Sequence, residues 1–377
     1  MERYSFLKVS MNGRSVGTLA LYQGRLAAFE YSAEWLGGGF AVSPFSLPLE
    51  KKVFIPKFDP FDGLFGVFAD SLPDGWGRLL VDRLLLREGL DPETINPLNR
   101  LAIVGDSGMG ALSYRPVHTF QTKTASLEYD RLAEQCRLIL EREHADNLDE
   151  LFRLGGSSGG ARPKILTKID GEDWILKFAS SMDSADSGLM EYRYAQCAAR
   201  CGVEMPPTKL FSSSRCAGYF GVRRFDRAGK AAQRIHMLSV SAILETSHRI
   251  PNLDYHILMK LTLELTKSYA EVEKLFRLMC FNVFAHNRDD HSKNFSFLYD
   301  AQAENWKLAP AYDLTWSNSI GGEHATCVNG NGKAPGLPDI LAVAEKIGLE
   351  RGEARRTAEN IRDRVAEDLG ELLAKKV

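Results

Sequence analysis

The sequence predicts an α+β fold in three parts: β-rich at the amino end, a hairpin behind a glycine-rich turn in the middle, and mostly helical towards the carboxy end. Three observations predict it. Strand-like runs straddle Asn12-Gly13, a second pair of runs straddles Asp170-Gly171, and from about residue 236 the apolar residues recur at helical spacing. At 377 residues the chain is too long for one ordinary core, since about 150 residues make a domain. Composition shifts place the boundaries so that the parts are 1–120, 121–226 and 227–377.

The elements follow in order. "FLKVSMNGRSVGTLALY" reads as a tight hairpin, because Asn-Gly tolerates the two positive φ angles of a type I′ turn. After the Pro-rich "SPFSLPLE", the stretch "LPDGWGRLLVDRLLLREGLDP" spaces its leucines for an amphipathic helix that Gly89 and Pro92 stop. "VGDSGMGALSYRP" is a glycine turn before a short strand, and the polar residues from His118 to Ser126 resemble a linker. "PKILTKIDGEDWILKFAS" is the second hairpin, with Lys177 in its second strand. In "SGLMEYRYAQCAARCGVEMPP", Met190, Tyr194, Cys197 and Cys201 share a helix face and Glu191 lies in the first turn. Two further helices follow in 255–287, the second apolar nearly all round and therefore central.

Composition excludes several classes. Forty-four per cent hydrophobic and 25% charged residues are ordinary for a globular chain, and 47 basic against 49 acidic residues leave a net charge of -2. No global field draws the protein to nucleic acid or an anionic membrane. The six cysteines show no zinc-ligand spacing and read as free thiols of a reducing compartment. With no signal-peptide core and no run of about 18 apolar residues, the expected location is the cytoplasm, away from membranes.

The run "RLGGSSGGARPKILTK" does not fit G-x-x-x-x-G-K-[ST], because Ala161-Arg162 follow Gly160. Its backbone N–H groups can close on phosphate oxygens beside Lys164, although a flexible joint has the same composition. Lys177 and Glu191 come next. Singly they suit an exposed strand lysine and an acid at a helix N-terminus, but in this order they match a glycine loop, a phosphate-holding strand Lys and its orienting helix Glu. The predicted fold is therefore a protein-kinase-like bilobal one, with an extra N-terminal β-rich subdomain and a mostly helical C-lobe.

"FAHNRDDHSKNFSF" carries the chemistry. Phosphoryl transfer needs a carboxylate for the attacking hydroxyl and an amide oxygen for Mg²⁺, spaced Asp-x-x-x-x-Asn in a kinase catalytic loop; Asp289 and Asn294 have that spacing. Asp313, in "WKLAPAYDLTW", supplies a second oxygen ligand. His286, Asp289, Asp290 and His291 also admit a transition-metal hydrolase, which leaves the glycine loop and Lys177 idle. ATP-dependent transfer with Mg²⁺ separates that alternative from nucleotide-free hydrolysis.

In this order "GGSSGGARPK", "WILKFAS", "GVRRFDR", "HNRDDHSKNFSF" and "LAPAYDL", with "FSLPLE" and "FADSLPDGWGRLLVDRLL" ahead of them, resemble the HipA family of bacterial serine/threonine kinases, toxins of HipBA-type toxin–antitoxin pairs. The resemblance runs from about residue 5 to about 345. It implies Asp289 as catalytic base, Asn294 and Asp313 as Mg²⁺ ligands, Lys177 as the phosphate lysine, and Ser157, Ser158, Gly159 and Gly160 as the ATP loop. Arg223 to Phe225 would be the hinge whose backbone holds adenine. It further implies autophosphorylation of Ser157 or its neighbour Ser158, where nearly two added charges repel the ATP phosphates. His291 stands where many kinases place a γ-phosphate lysine; a packed loop histidine is the other reading. Ser239 and Ser241 replace the acidic pair and Gln that several relatives carry after the hinge.

The implied partners are a small HipB-like helix-turn-helix antitoxin, DNA only through that antitoxin, and a protein substrate such as glutamyl-tRNA synthetase. A basic tract from Lys209 to Arg234 reads as a solvated face or a surface meeting a tRNA-bound substrate. A catalytically inactive, kinase-like corepressor that holds antitoxin is the alternative function.

Overall fold

The computed structural model describes residues 3–120, 128–141, 148–156, 159–180, 183–228 and 233–376. They form two compact units, Met1–Gly188 with Leu210–Thr246, and Leu189–Lys209 with Ser247–Val377.

The first unit opens with β1 (Phe6–Met11), β2 (Arg14–Tyr22), β3 (Leu26–Tyr31), β4 (Val53–Phe54) and β5 (Leu112–Arg115), ordered β4-β3-β2-β1-β5. Asn12 and Gly13 have φ of 48° and 84°, the two left-handed residues that the type I′ turn requires. Leu7, Val9 and Met11 alternate onto the buried face. Short helices α1 (Ala33–Leu36) and α2 (Gly66–Ala69) precede α3 (Gly75–Arg87), and α4 (Pro97–Val104) lies against β1 to β3. Asn96 starts α4 by accepting the Asn99 N–H at 2.8 Å, ahead of Pro97 at the first helical position.

Two helices follow that the periodicity did not announce, α5 (Tyr129–Leu140) and α6 (Leu148–Gly155). The first glycines of the quoted run thus close a helix. A second sheet, ordered β6-β7-β9-β8, is made of β6 (Lys164–Ile169), β7 (Glu172–Lys177), β8 (Thr208–Phe211) and β9 (Tyr219–Arg223), and Asp170 and Gly171, φ 52° and 81°, repeat the type I′ turn. Trp76 and Leu80 of α3 bury in the same core as Leu151 of α6, Ile165 of β6 and Leu176 of β7. The amino-terminal stretch therefore helps build the core under the glycine run.

The second unit is mostly helical. α7 (Ser187–Arg200) leads into it, Val240–Ile243 (α8) belongs to the first unit, and α9 (Tyr255–Thr266), α10 (Tyr269–Phe284), α11 (Leu337–Lys346) and α12 (Arg351–Ala374) follow. α10 packs against α9, α11 and α12, which is why it is apolar nearly all round. Each of its buried Leu275, Phe276, Met279 and Phe281 contributes about 1.5–3 kcal/mol of burial. Ser296–Asp300 and Asn305–Leu308 pair antiparallel beyond it. All six cysteines are free thiols, and among the described residues no helix is long and apolar enough to cross a membrane.

Candidate active site

The loop after α10 is held on both sides. Tyr194 of α7 donates its hydroxyl to the Ala285 carbonyl at 2.8 Å, and His286 turns the chain with φ 52°. Asn287 then pairs doubly with Asn282, N–H to carbonyl and Nδ2 to Oδ1, both at 2.9 Å. From Asn282 a buried polar chain runs through the Tyr255 hydroxyl (2.9 Å) to the Asp290 carboxylate (2.8 Å). Asp290 also accepts from His324 Nδ1 at 2.9 Å and from the Thr326 N–H at 3.1 Å, while its carbonyl accepts from the Thr326 hydroxyl at 2.6 Å. Burial, with the Asp290 charge beside it, raises the Tyr255 phenol far above its usual range, so it stays a donor.

This anchoring presents Asp289. Its side chain is 57% exposed, with His291 Nε2 3.8 Å away. A single 3₁₀ turn over Ser292–Asn294 brings Asn294 back, and its Nδ2 donates to the Asp289 carbonyl at 2.8 Å. That bond fixes the amide's nitrogen end inward and leaves Oδ1 as the outward acceptor. Tyr312 donates to the Lys293 carbonyl and meets the Ser296 hydroxyl, both at 2.6 Å, so the residue before Asp313 is tied to the residue before Asn294. Asp313 itself is half-buried in the left-handed region, φ 54°, a conformation that persists where surroundings enforce it. An amide oxygen and a carboxylate are the donors a hard cation takes. The hydrolase alternative fares worse, because Asp290 is spent on its buried partners and no group of three His, Cys, Asp or Glu among the described residues could hold a metal.

In the first unit the carboxy-terminal end of the glycine run, Gly159 and Gly160, is held by hydrogen bonds. Ser157 and Ser158 lie outside the described residues. Lys164, buried, donates Nζ to the Gly159 carbonyl at 2.5 Å, and Gly160 has φ 87°, a conformation that favours glycine. The Gly160 N–H goes to the Asp74 carboxylate, and its carbonyl accepts from the Trp76 N–H at 3.0 Å. Lys177 ends β7 opposite Lys164 and Phe220, its Nζ 5.7 Å from the Phe220 ring centroid. Glu191 is buried in α7.

The segment after β9 corrects one expectation. Arg223 reaches sideways to Glu172 at 2.6 Å, the Arg224 N–H goes to the Asp173 carbonyl at 2.8 Å, and Phe225 is half-buried. Arg224 then grips the buried Asp226 with two bonds, 2.9 and 2.7 Å, and Arg227 adds a third at 2.7 Å. Arg224, Arg227 and Arg234 all donate to the Gly108 carbonyl, and Asp226 accepts from the Gly110 N–H at 2.8 Å. Burial alone would push the Asp226 carboxyl up, but the guanidiniums and this N–H hold it down at about 2. Two of the tract's basic residues are thus interior partners of one acid, and Arg234 joins them on the Gly108 carbonyl, so these three guanidiniums are not a face for nucleic acid. Ser239 bonds Asp70 and Ser241 bonds the Thr246 carbonyl, so both hydroxyls are committed inside the fold.

Sequence reasoning missed Asp74, Tyr255 and Tyr312, and gave Asp290 a part only in the hydrolase alternative. "LPDG" was the only available signal for the first, an acid beside a glycine at a helix start.

Fold and loop define a kinase-like α+β protein. The HipA N-terminal domain model matches residues 7–115 and the HipA-like C-terminal domain model residues 156–369, more than half of the chain. The chain belongs to the HipA family. It is similar to two proteins of Sinorhizobium fredii, "Putative kinase Y4mE", 26% identical over 97% of this chain and 91% of that one, and "Putative kinase Y4dM", 26% identical over 83% and 78%. Among solved structures, HipA of Shewanella oneidensis, in a complex with HipB and operator DNA, matches at a TM-score of 0.72 with 18% identity, over 98% of this chain and 91% of that one. That likeness speaks for the fold.

Proposed function

We propose that the chain is an ATP- and Mg²⁺-dependent serine/threonine protein kinase and the toxin of a HipBA-type pair. One observation carries the reading: an exposed Asp289 on an immobilised loop, with the Asn294 amide oriented by the Asp289 carbonyl. Asp289 orients the acceptor hydroxyl and takes its proton, Asn294 and Asp313 hold the cation, and Lys177 with the Gly159–Gly160 amides meets the phosphates. Mg²⁺, when bound, offsets the phosphate charge. The backbone of Arg223 and Phe225 holds adenine, and His291, beside Asp289, hydrogen-bonds the γ-phosphate. Relatives named as kinases support the assignment, and the division 1–120, 121–226 and 227–377 is proposed with it.

The family resemblance adds the rest. Ser157 or Ser158 takes the autophosphate, a HipB-like helix-turn-helix antitoxin is the partner through which the chain meets DNA, and an aminoacyl-tRNA synthetase in the cytoplasm is the substrate class. Incubation with γ-labelled ATP tests the proposal. Label should enter the wild-type chain with Mg²⁺, vanish with chelator, and be absent from Asp289→Gln. No label in the wild type, with antitoxin still bound, would replace the kinase with a corepressor.

A further inference from the structure

We propose that Asp74, which lies within the stretch matched as the HipA N-terminal domain, is a positioning residue that holds Gly160, at the carboxy-terminal end of the glycine loop, in place for nucleotide. The inference rests on the nucleotide-site reading above. An Asp at a helix N-cap ordinarily accepts an N–H of its own first turn. Asp74 caps α3 and makes no such bond; its carboxylate accepts instead from Gly160, 86 residues along the chain. Two residues on, Trp76 N–H closes on the Gly160 carbonyl, so both sides of Gly160 are hung on 74–76.

Gly75 makes the approach possible. A Cβ there would lie 2.5 Å from the Gly160 carbonyl oxygen, and its φ is 44°. The anchor does not drift, because Trp76 and Leu80 are buried with Ile165 and Leu176 of the strands that follow the loop. With Gly160 pinned by 74–76 and Gly159 by Lys164, the carboxy-terminal side of the loop is fixed before any phosphate arrives. Preorganisation of that kind lowers the ordering cost of binding.

The test uses the full chain as wild type, Asp74→Ala and Asp74→Asn, with Mg·ATP affinity by calorimetry and amide exchange of peptides covering Gly160. The amide Oδ1 of Asn can still accept the Gly160 N–H, so Asp74→Asn separates the bond from the charge. Asp74→Ala should weaken Mg·ATP about tenfold, the loss of one charge-assisted hydrogen bond, and Asp74→Asn by no more than about threefold. Exchange at Gly160 should rise at least about tenfold in Asp74→Ala without nucleotide. Unchanged exchange overturns the anchor. Faster exchange with unchanged affinity overturns the positioning role, as does tighter ATP binding by both variants, which would make Asp74 a competitor of phosphate. If the wild type binds no ATP while exchange still responds, the anchor stands and the kinase reading fails.

Discussion

Asp289 and Asp290 are consecutive residues with opposite surroundings: the first side chain is 57% exposed, whereas the second is fully buried and takes bonds from Tyr255, His324 and Thr326. In the proposed mechanism the first does the chemistry, and the second holds the loop in place. Asp289→Asn should cut phosphoryl transfer by about 10²–10⁴-fold and leave stability within about 0.5 kcal/mol. Asp290→Ala should lower unfolding stability by about 3–5 kcal/mol, because it strands buried partners. Parallel activity and urea-denaturation measurements check the split; equal effects on stability would contradict it.

Asp313→Asn keeps the shape of the side chain and removes the charge that attracts a cation. The Mg²⁺ concentration for half-maximal transfer should rise about tenfold, with the melting temperature unchanged. A magnesium titration at saturating ATP reads this, and an unshifted midpoint would remove Asp313 from the ligand set.

Asp226→Ala should be among the most damaging single changes in the first unit. It leaves Arg224 and Arg227 buried without their counter-charge, a loss of about 3–5 kcal/mol. Chemical denaturation measures it. Lys209→Ala, at the start of the same tract, should by contrast leave the midpoint where it was.

His236 gives the first unit an acid-sensitive point. Burial lowers its pKa to about 4, the bond to the Val42 carbonyl opposing only part of that. The folded value lies below the unfolded one of about 6.5, so the stability it protects is complete above that pH and is lost as pH falls towards 4. Unfolding midpoints followed by the fluorescence of Trp35, which packs on Phe40 beside His236, should fall more steeply over this interval than in His236→Gln. Parallel slopes would show that another group titrates.

Both hairpins were legible because Asn-Gly and Asp-Gly state their backbone angles locally, and α3, α7, α9 and α10 because their apolar spacing repeats over whole turns. The spacing of Asp289 and Asn294 was legible for the same reason: one loop contains both. Helices α5 and α6 were hidden by polar surroundings and by glycines that looked like the end of order. Asp74 with Gly160, and Gly110 with Asp226, are pairings across 86 and 116 residues, and nothing in either member's neighbourhood names the other. Asp290 entered the hydrolase alternative as a candidate ligand because its letter is the same buried or exposed; only its donors mark it as an anchor.

The clasp of Asp226 and its arginines with Gly110 and Gly108 bears on inheritance. Residues from both matched segments complete one another's interior bonding, so a recombinant that joined the front of one relative to the back of another would inherit guanidiniums facing foreign carbonyls. Such chimaeras should survive only when the crossover carries both halves of the clasp, and lineages of this family should exchange the two segments together.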